Sequence, residues 1–83
     1  MSKMMITKII EIVSTVLKIN PCELSIESQQ TDFEQWDSLT QLIIINKIED
    51  EFNLRIDDLI IKKLNSIKAI HNYLKDNYMG HTT

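Results

Sequence analysis

The stretch WDSLTQLIIINKIEDEF, residues 36–52, decides how this chain folds. Leu39, Leu42, Ile44, Ile45, Ile48 and Phe52 recur at spacings of three and four, the interval at which side chains share one face of an α-helix. The spacing predicts a helix over about 38–52, with most of those six residues on one broad face and Thr40, Ile43, Lys47 and Asp50 opposite. Ile43 is the exception, apolar on a face that should be wet. Ser38 stands at the entry to this helix, and two uses of its hydroxyl are open. Ser38-Leu39-Thr40-Gln41 fits the capping box, serine followed three positions later by glutamine; such a cap contributes about 1 kcal/mol. Asp37 is an equally good cap, which would move Ser38 to the first helical position with its hydroxyl pointing outward. Thr31-Asp32-Phe33-Glu34 fits the same box, so the pattern alone does not decide.

Working outward, Met5, Ile6, Ile9, Ile10, Val13, Val16 and Leu17 predict an amphipathic helix over about 3–18. Pro21 is expected to end it, because the residue before a proline disfavours the α region. Residues 19–37 show no sustained periodicity and read as a long loop pinned by Leu24, Ile26, Phe33 and Trp36. Loops of that length in small domains are often functional. Downstream, Asp57 and Asp58 suit the start of a short helical turn running to Lys63. Asn65 or Ser66 then caps a last helix with Ile67, Ile70, Tyr73 and Leu74 as its buried stripe. Residues after Tyr78 read as a frayed end. With no strand alternation and no repeat, the expected fold is an all-α, small four-helix bundle: three longer helices and one short third helix.

The chain of 83 residues suits a single domain over 1–83, ordered from about 3 to 78 with a tail at 79–83. A domain of this size has a thin core and little room for a deep catalytic cleft. A carrier, a binding module or an assembly subunit is therefore expected rather than an enzyme. Hydrophobic content of 43% and charged content of 25% belong to an ordinary globular protein, and one glycine and one proline argue against a turn-rich β fold. The lone Cys22 excludes an internal disulfide and a cysteine-based zinc site; beside Pro21 it is expected to be small, partly buried and unreactive. Lys8, Glu11 and Lys18 interrupt the apolar N-terminal run, so neither a signal peptide nor a membrane span is expected and the location reads as cytoplasmic.

Charge is unevenly spread. Residues 21–58 hold ten acids against Lys47 and Arg55, while both flanking segments are basic. The acidic middle surrounds Ser38, favouring encounter with basic partners and repelling nucleic acid. His71 and His81 lie near no other ligand type at metal spacing and are expected on the surface; Met1, Met4 and Met5 read as helix-start and core filler. There is no Gly-rich phosphate loop, no EF-hand spacing and no basic recognition helix.

Asp37-Ser38-Leu39, the helix-spaced aliphatics after it and Glu49-Asp50-Glu51 before Phe52 together resemble the second helix of acyl carrier proteins. The likeness continues through Ile56, before the short third helix, to Ile67, Ala69, Ile70 and Tyr73 in the last. With the N-terminal helix and the long first loop it covers nearly the whole domain. The resemblance implies a stand-alone carrier of the phosphopantetheine-binding family. Its cofactor would be a covalent 4′-phosphopantetheine on Ser38, within the motif formed with Asp37 and Leu39. A phosphopantetheinyl transferase would attach the arm, whose thiol would hold acyl or aminoacyl groups as thioesters. Loading ligases and acyltransferase or synthase enzymes would be the other partners of a monomeric, non-catalytic protein without nucleic-acid or membrane ligands. The partner face is expected to include Trp36, Ile43, Lys47, Asp50 and Ile56.

The chain also departs from the family pattern. Gln35 stands where glycine is frequent, Trp36 directly precedes Asp37, and the loop from Phe33 to Ser38 is one residue shorter than in fatty-acid carriers. Trp36 suits a plug for the open end of the bundle as well as a recognition surface. Ile43 and Lys47 stand on a stripe that fatty-acid carriers make acidic, which points away from housekeeping fatty-acid synthesis. A specialised amino-acid, polyketide or surface-sugar acylation pathway fits better. The rival readings are an unmodified carrier-like interaction module and an unrelated helical adaptor that docks a partner helix on the Ile43 face.

Overall fold

The computed structural model describes residues 2–77, with side chains from Met5 onward. Four α-helices follow one another: α1 (Ser2–Leu17), α2 (Ser38–Phe52), α3 (Asp58–Ile61) and α4 (Ile67–Asn77). The bundle is the expected all-α one, with three longer helices and a short third. Tyr78 and the tail, including His81, lie outside the described residues, as do Met1 and the side chain of Met4.

In α1, Met5, Ile9, Val13 and Leu17 form a buried i, i+4 stripe, and the helix packs against both α2 and α4. Its end is set earlier than Pro21. Lys18 adopts a left-handed conformation at φ 62°, its N–H bonds Thr15 O, and Ile19 N–H reaches back to Ser14 O at 3.0 Å. This is a Schellman closure made without glycine. Pro21 instead opens a 3₁₀ turn over Pro21–Glu23. Cys22, on that turn, is exposed rather than partly buried, because the turn carries its side chain outward while Leu24 enters the core.

The segment between α1 and α2 is more ordered than a plain loop. A second 3₁₀ turn spans Gln30–Asp32, with Asp32 Oδ2 accepting from Gln29 N–H at 3.0 Å. An isolated bridge pairs Gln29 with Ser66. Through it Gln30 N–H bonds Asn65 O at 2.7 Å, and Ile67 N–H, an otherwise unpaired donor at the start of α4, bonds Ser28 O at 3.0 Å. Ser66 caps α4, its Oγ accepting from Ala69 N–H. The loop is thus tied to the α3–α4 junction, which brings the chain back to the bundle end where α2 begins.

The inner stripe of α2 is Gln41, Ile44, Ile45, Ile48 and Phe52. Leu39 and Leu42, two of the six helix-spaced apolar residues, are 68% and 48% exposed. The helix is turned so that Leu39, Ile43, Asn46 and Asp50 share the outer stripe at i, i+4, i+7 and i+11. At its far end α2 stops at Asn53, in the left-handed region at φ 54°, a conformation asparagine tolerates. Glu49 Oε2 then accepts from Ile56 N–H at 2.8 Å, which turns the chain toward α3. Ile56 is buried at 6% exposure and forms core rather than partner surface.

In α4, Ile67, Ile70, His71 and Leu74 are buried. The expectation of a surface His71 is therefore corrected. It stands one turn from both Ile67 and Leu74, and the same face goes inward. Its Nε2 is buried with no hydrogen-bond partner.

Candidate functional site

The site grows from the first turn of α2. Asp37 is extended (φ −97°, ψ −172°), and its Oδ1 accepts from Thr40 N–H at 2.9 Å. The cap is therefore Asp37. Ser38 becomes the first helical residue, exposed, with its hydroxyl not taken up in capping. The Thr40 backbone N–H, followed by a bond from the Thr40 side chain, holds the Asp37 carboxyl below the usual carboxylate range. The helix start therefore carries an ionised carboxylate beside a displayed hydroxyl.

Gln41 does not complete a box with Ser38 either. It points inward at 5% exposure, where its Oε1 accepts from the Trp36 indole N–H at 2.7 Å. Its amide nitrogen donates to Ile61 O at 2.9 Å and to Leu64 O at 2.7 Å. One side chain thus joins the loop before α2 to the end of α3. Trp36 is consequently 2% exposed, so its indole closes the end of the bundle and offers a partner no surface.

Beside the serine lies a groove of about 280 Å³ lined by Gln30, Ser38, Gln41, Leu42, Ile61 and Lys62. Leu42 and Ile61 make its apolar walls, while Lys62 contributes a cation to the same lining. Leu39, Ile43, Lys47 and Asp50 are all exposed along the outside of α2, and Leu59 on α3 is 73% exposed. Of the neighbouring acids, Glu49 is used within the fold and Glu51 reaches Lys8 of α1 at 3.4 Å. A second, more polar depression of about 550 Å³ lies at the far end of α2, among Glu49, Asp50, Asn53, Arg55 and Asp58. Among the described residues no group of three or more His, Cys, Asp or Glu side chains could hold a metal ion, and no helix is long and apolar enough to cross a membrane.

The structure therefore places Asp37, Ser38 and Leu39 together, exposed, at one helix start, and Ile43, Lys47 and Asp50 along the adjoining outer face. It removes Trp36 and Ile56 to the interior. Gln30, Gln41, Ile61 and Lys62 were not singled out from sequence. Gln41 did carry a signal, being polar one turn before Ile44 and Ile45 on what proved the inner stripe. Lys62 joins the groove only through the packing of α3 on α2.

A short four-helix bundle displaying a serine at the start of its second helix, beside a groove with a cation, has the form of a carrier domain. Residues 7–74 match the family model described as phosphopantetheine attachment site, and the chain belongs to that family. Membership supports a phosphopantetheine-carrier role, with a covalently attached 4′-phosphopantetheine. Domains of this kind are not themselves catalytic; phosphopantetheinyl transferases and acyl-handling enzymes act on them. The residues at the start of α2 fit such a group. The hydroxyl is accessible, the helix N-terminus and Lys62 suit a phosphodiester charge, and the groove walls suit the methyl-bearing part of the arm.

Proposed function

We propose that Ser38 is the attachment residue and that the chain is a monomeric, cytoplasmic carrier domain. The observation supporting this most directly is the division of labour at the helix start: Asp37 caps the helix and leaves the Ser38 hydroxyl exposed. In the transferase reaction the Ser38 oxygen bonds to the phosphorus of coenzyme A that bears the pantetheine arm. Its proton passes to the transferase or solvent, and adenosine 3′,5′-bisphosphate leaves. The bound arm supplies a thiol that holds acyl or aminoacyl groups as thioesters. This chain's residues present that arm: Asp37 keeps the first turn formed, the α2 N-terminus and Lys62 offset phosphate charge, and Leu39, Ile43, Lys47 and Asp50 face the partner enzyme.

The pathway we propose is a specialised one. Its support is the outer stripe, where exposed Leu39 and Ile43 (68% and 41%) precede Lys47 and a single acid, Asp50. Such a face favours an apolar docking contact over one steered chiefly by charge. A fluorescent coenzyme A analogue and a broad-specificity transferase test the attachment: label should enter the protein and be absent from Ser38→Ala. Failure to label the folded protein would favour an unmodified interaction module.

A further inference from the structure

We infer that Gln41 closes the seam between α2 and α3, so that a group loaded at Ser38 stays outside the bundle and belongs to the short or polar class. This rests on the carrier reading and narrows its cargo to short acyl, hydroxyacyl or aminoacyl thioesters. The groove beside Ser38 is the direct way inward from the attachment point, and Gln41 forms part of its lining, one turn along α2 from the serine. All three polar positions of that amide are engaged: Oε1 by the Trp36 indole, and both nitrogen donors by Ile61 O and Leu64 O. These partners belong to the loop before α2 and to the end of α3, so the amide bridges the two walls through which a chain would have to pass. An alkyl chain entering there would displace a buried amide, leave the Trp36 indole N–H and Leu64 O without the partners that satisfy them, and strip Ile61 O back to its bond from Leu64 N–H. Beyond the seam stand Ile44, Ile48, Ile67 and Ile70, each fully buried, so entry would also require repacking. Outside it, Gln30 and Lys62 add polar lining beside the apolar Leu42 and Ile61, so the groove suits a short acyl or hydroxyl-bearing group better than a long saturated chain.

The test loads the protein enzymatically with acetyl- or octanoyl-phosphopantetheine, confirms each by mass, and compares melting temperatures and side-chain NMR spectra. The two loaded forms should melt together. Resonances of Gln30, Leu42 and Lys62 should move, while the methyls of Ile44, Ile48, Ile67 and Ile70 and the Trp36 indole N–H should not. Gln41→Ala should make both readouts depend on chain length; Trp36→Phe, which removes one of the three bonds and leaves the Gln41 amide in place, serves if Gln41→Ala does not fold. Octanoyl raising the melting temperature of the unaltered sequence and shifting the four isoleucine methyls would overturn the inference. If no arm attaches, the carrier reading fails instead, and the seam is judged on Cys22→Ser/Ser38→Cys protein bearing an octyl disulfide, with the exposed Cys22 removed so that attachment is single. The same two readouts then decide for or against a closed seam.

Discussion

The indole N–H of Trp36 donates to the side-chain carbonyl of Gln41 across 2.7 Å, inside the bundle and five residues along the chain. The loop thereby approaches α2 at a fixed angle, and the Gln41 amide carries the tie onward to Ile61 O and Leu64 O. A buried polar group of this kind stabilises only while every partner is present.

Gln41→Leu keeps the volume but orphans the Trp36 indole N–H and Leu64 O, while Ile61 O keeps its bond from Leu64 N–H. Chemical unfolding should show a loss of about 3 kcal/mol, since each buried orphan costs roughly 1–3 kcal/mol. Trp36→Phe should cost less, leaving one carbonyl short of a donor. The double variant should cost clearly less than the sum of the two, because the shared bond can be lost only once. Strict additivity would mean that the bond contributes nothing.

His71 titrates against the fold. Burial first, and the nearby Lys75 charge second, press its pKa below the ordinary 6.5. The folded state therefore binds its proton less readily than the unfolded one. Its contribution is intact above about 6.5 and declines as the pH falls from there toward the lower folded value. Melting temperatures followed downward in pH should show this decline, and His71→Leu should flatten it. An unchanged slope in that variant would move the effect to another group.

Asp37 works in the opposite sense and at lower pH. Its carboxylate is stabilised by Thr40, so its capping contribution is present above the unfolded carboxylate value and is lost as pH falls through the depressed folded value. Asp37→Asn should retain the cap and soften the acid limb of the stability curve, whereas Asp37→Ala should lower stability at neutral pH as well. Helix content by circular dichroism across that range separates the two.

The outer stripe predicts how partners sense the protein. Ile43→Asp should leave the melting temperature nearly unchanged, because the side chain is 41% exposed. It should raise KM for the transferase by about tenfold, equivalent to losing roughly 1.4 kcal/mol of contact. Lys47→Ala should have a smaller effect that fades with added salt. Equal KM values for Ile43→Asp and the unaltered sequence would place the docking face elsewhere.

Much of this architecture was legible because it is local. The bounds of α2 follow from a stripe with an Asp-Ser start and a phenylalanine end, and α4 from its Ser66 cap. The phase of α2 was not legible. Apolar residues surround its first turns, so periodicity alone could not say that Leu39 and Leu42 go out while Gln41 goes in. Two of the three partners that draw Gln41 inward lie twenty or more residues away and are backbone carbonyls, which leave no mark in composition. The same holds for Trp36, whose burial depends on Gln41. His71 was misplaced because it was weighed as a polar residue, although its spacing from Ile67 and Leu74 already put it on the inner face. Ser38 could be singled out, but only the geometry of Asp37 decided between a cap and a displayed hydroxyl.

Intact mass after incubation with coenzyme A, magnesium and a phosphopantetheinyl transferase tests the role of Ser38 most directly, with Ser38→Ala alongside. The expected result is a gain of one phosphopantetheine by the unaltered protein and none by the variant, with both folded. A gain by Ser38→Ala as well, or none by the unaltered protein while a control carrier is modified, would contradict attachment at Ser38.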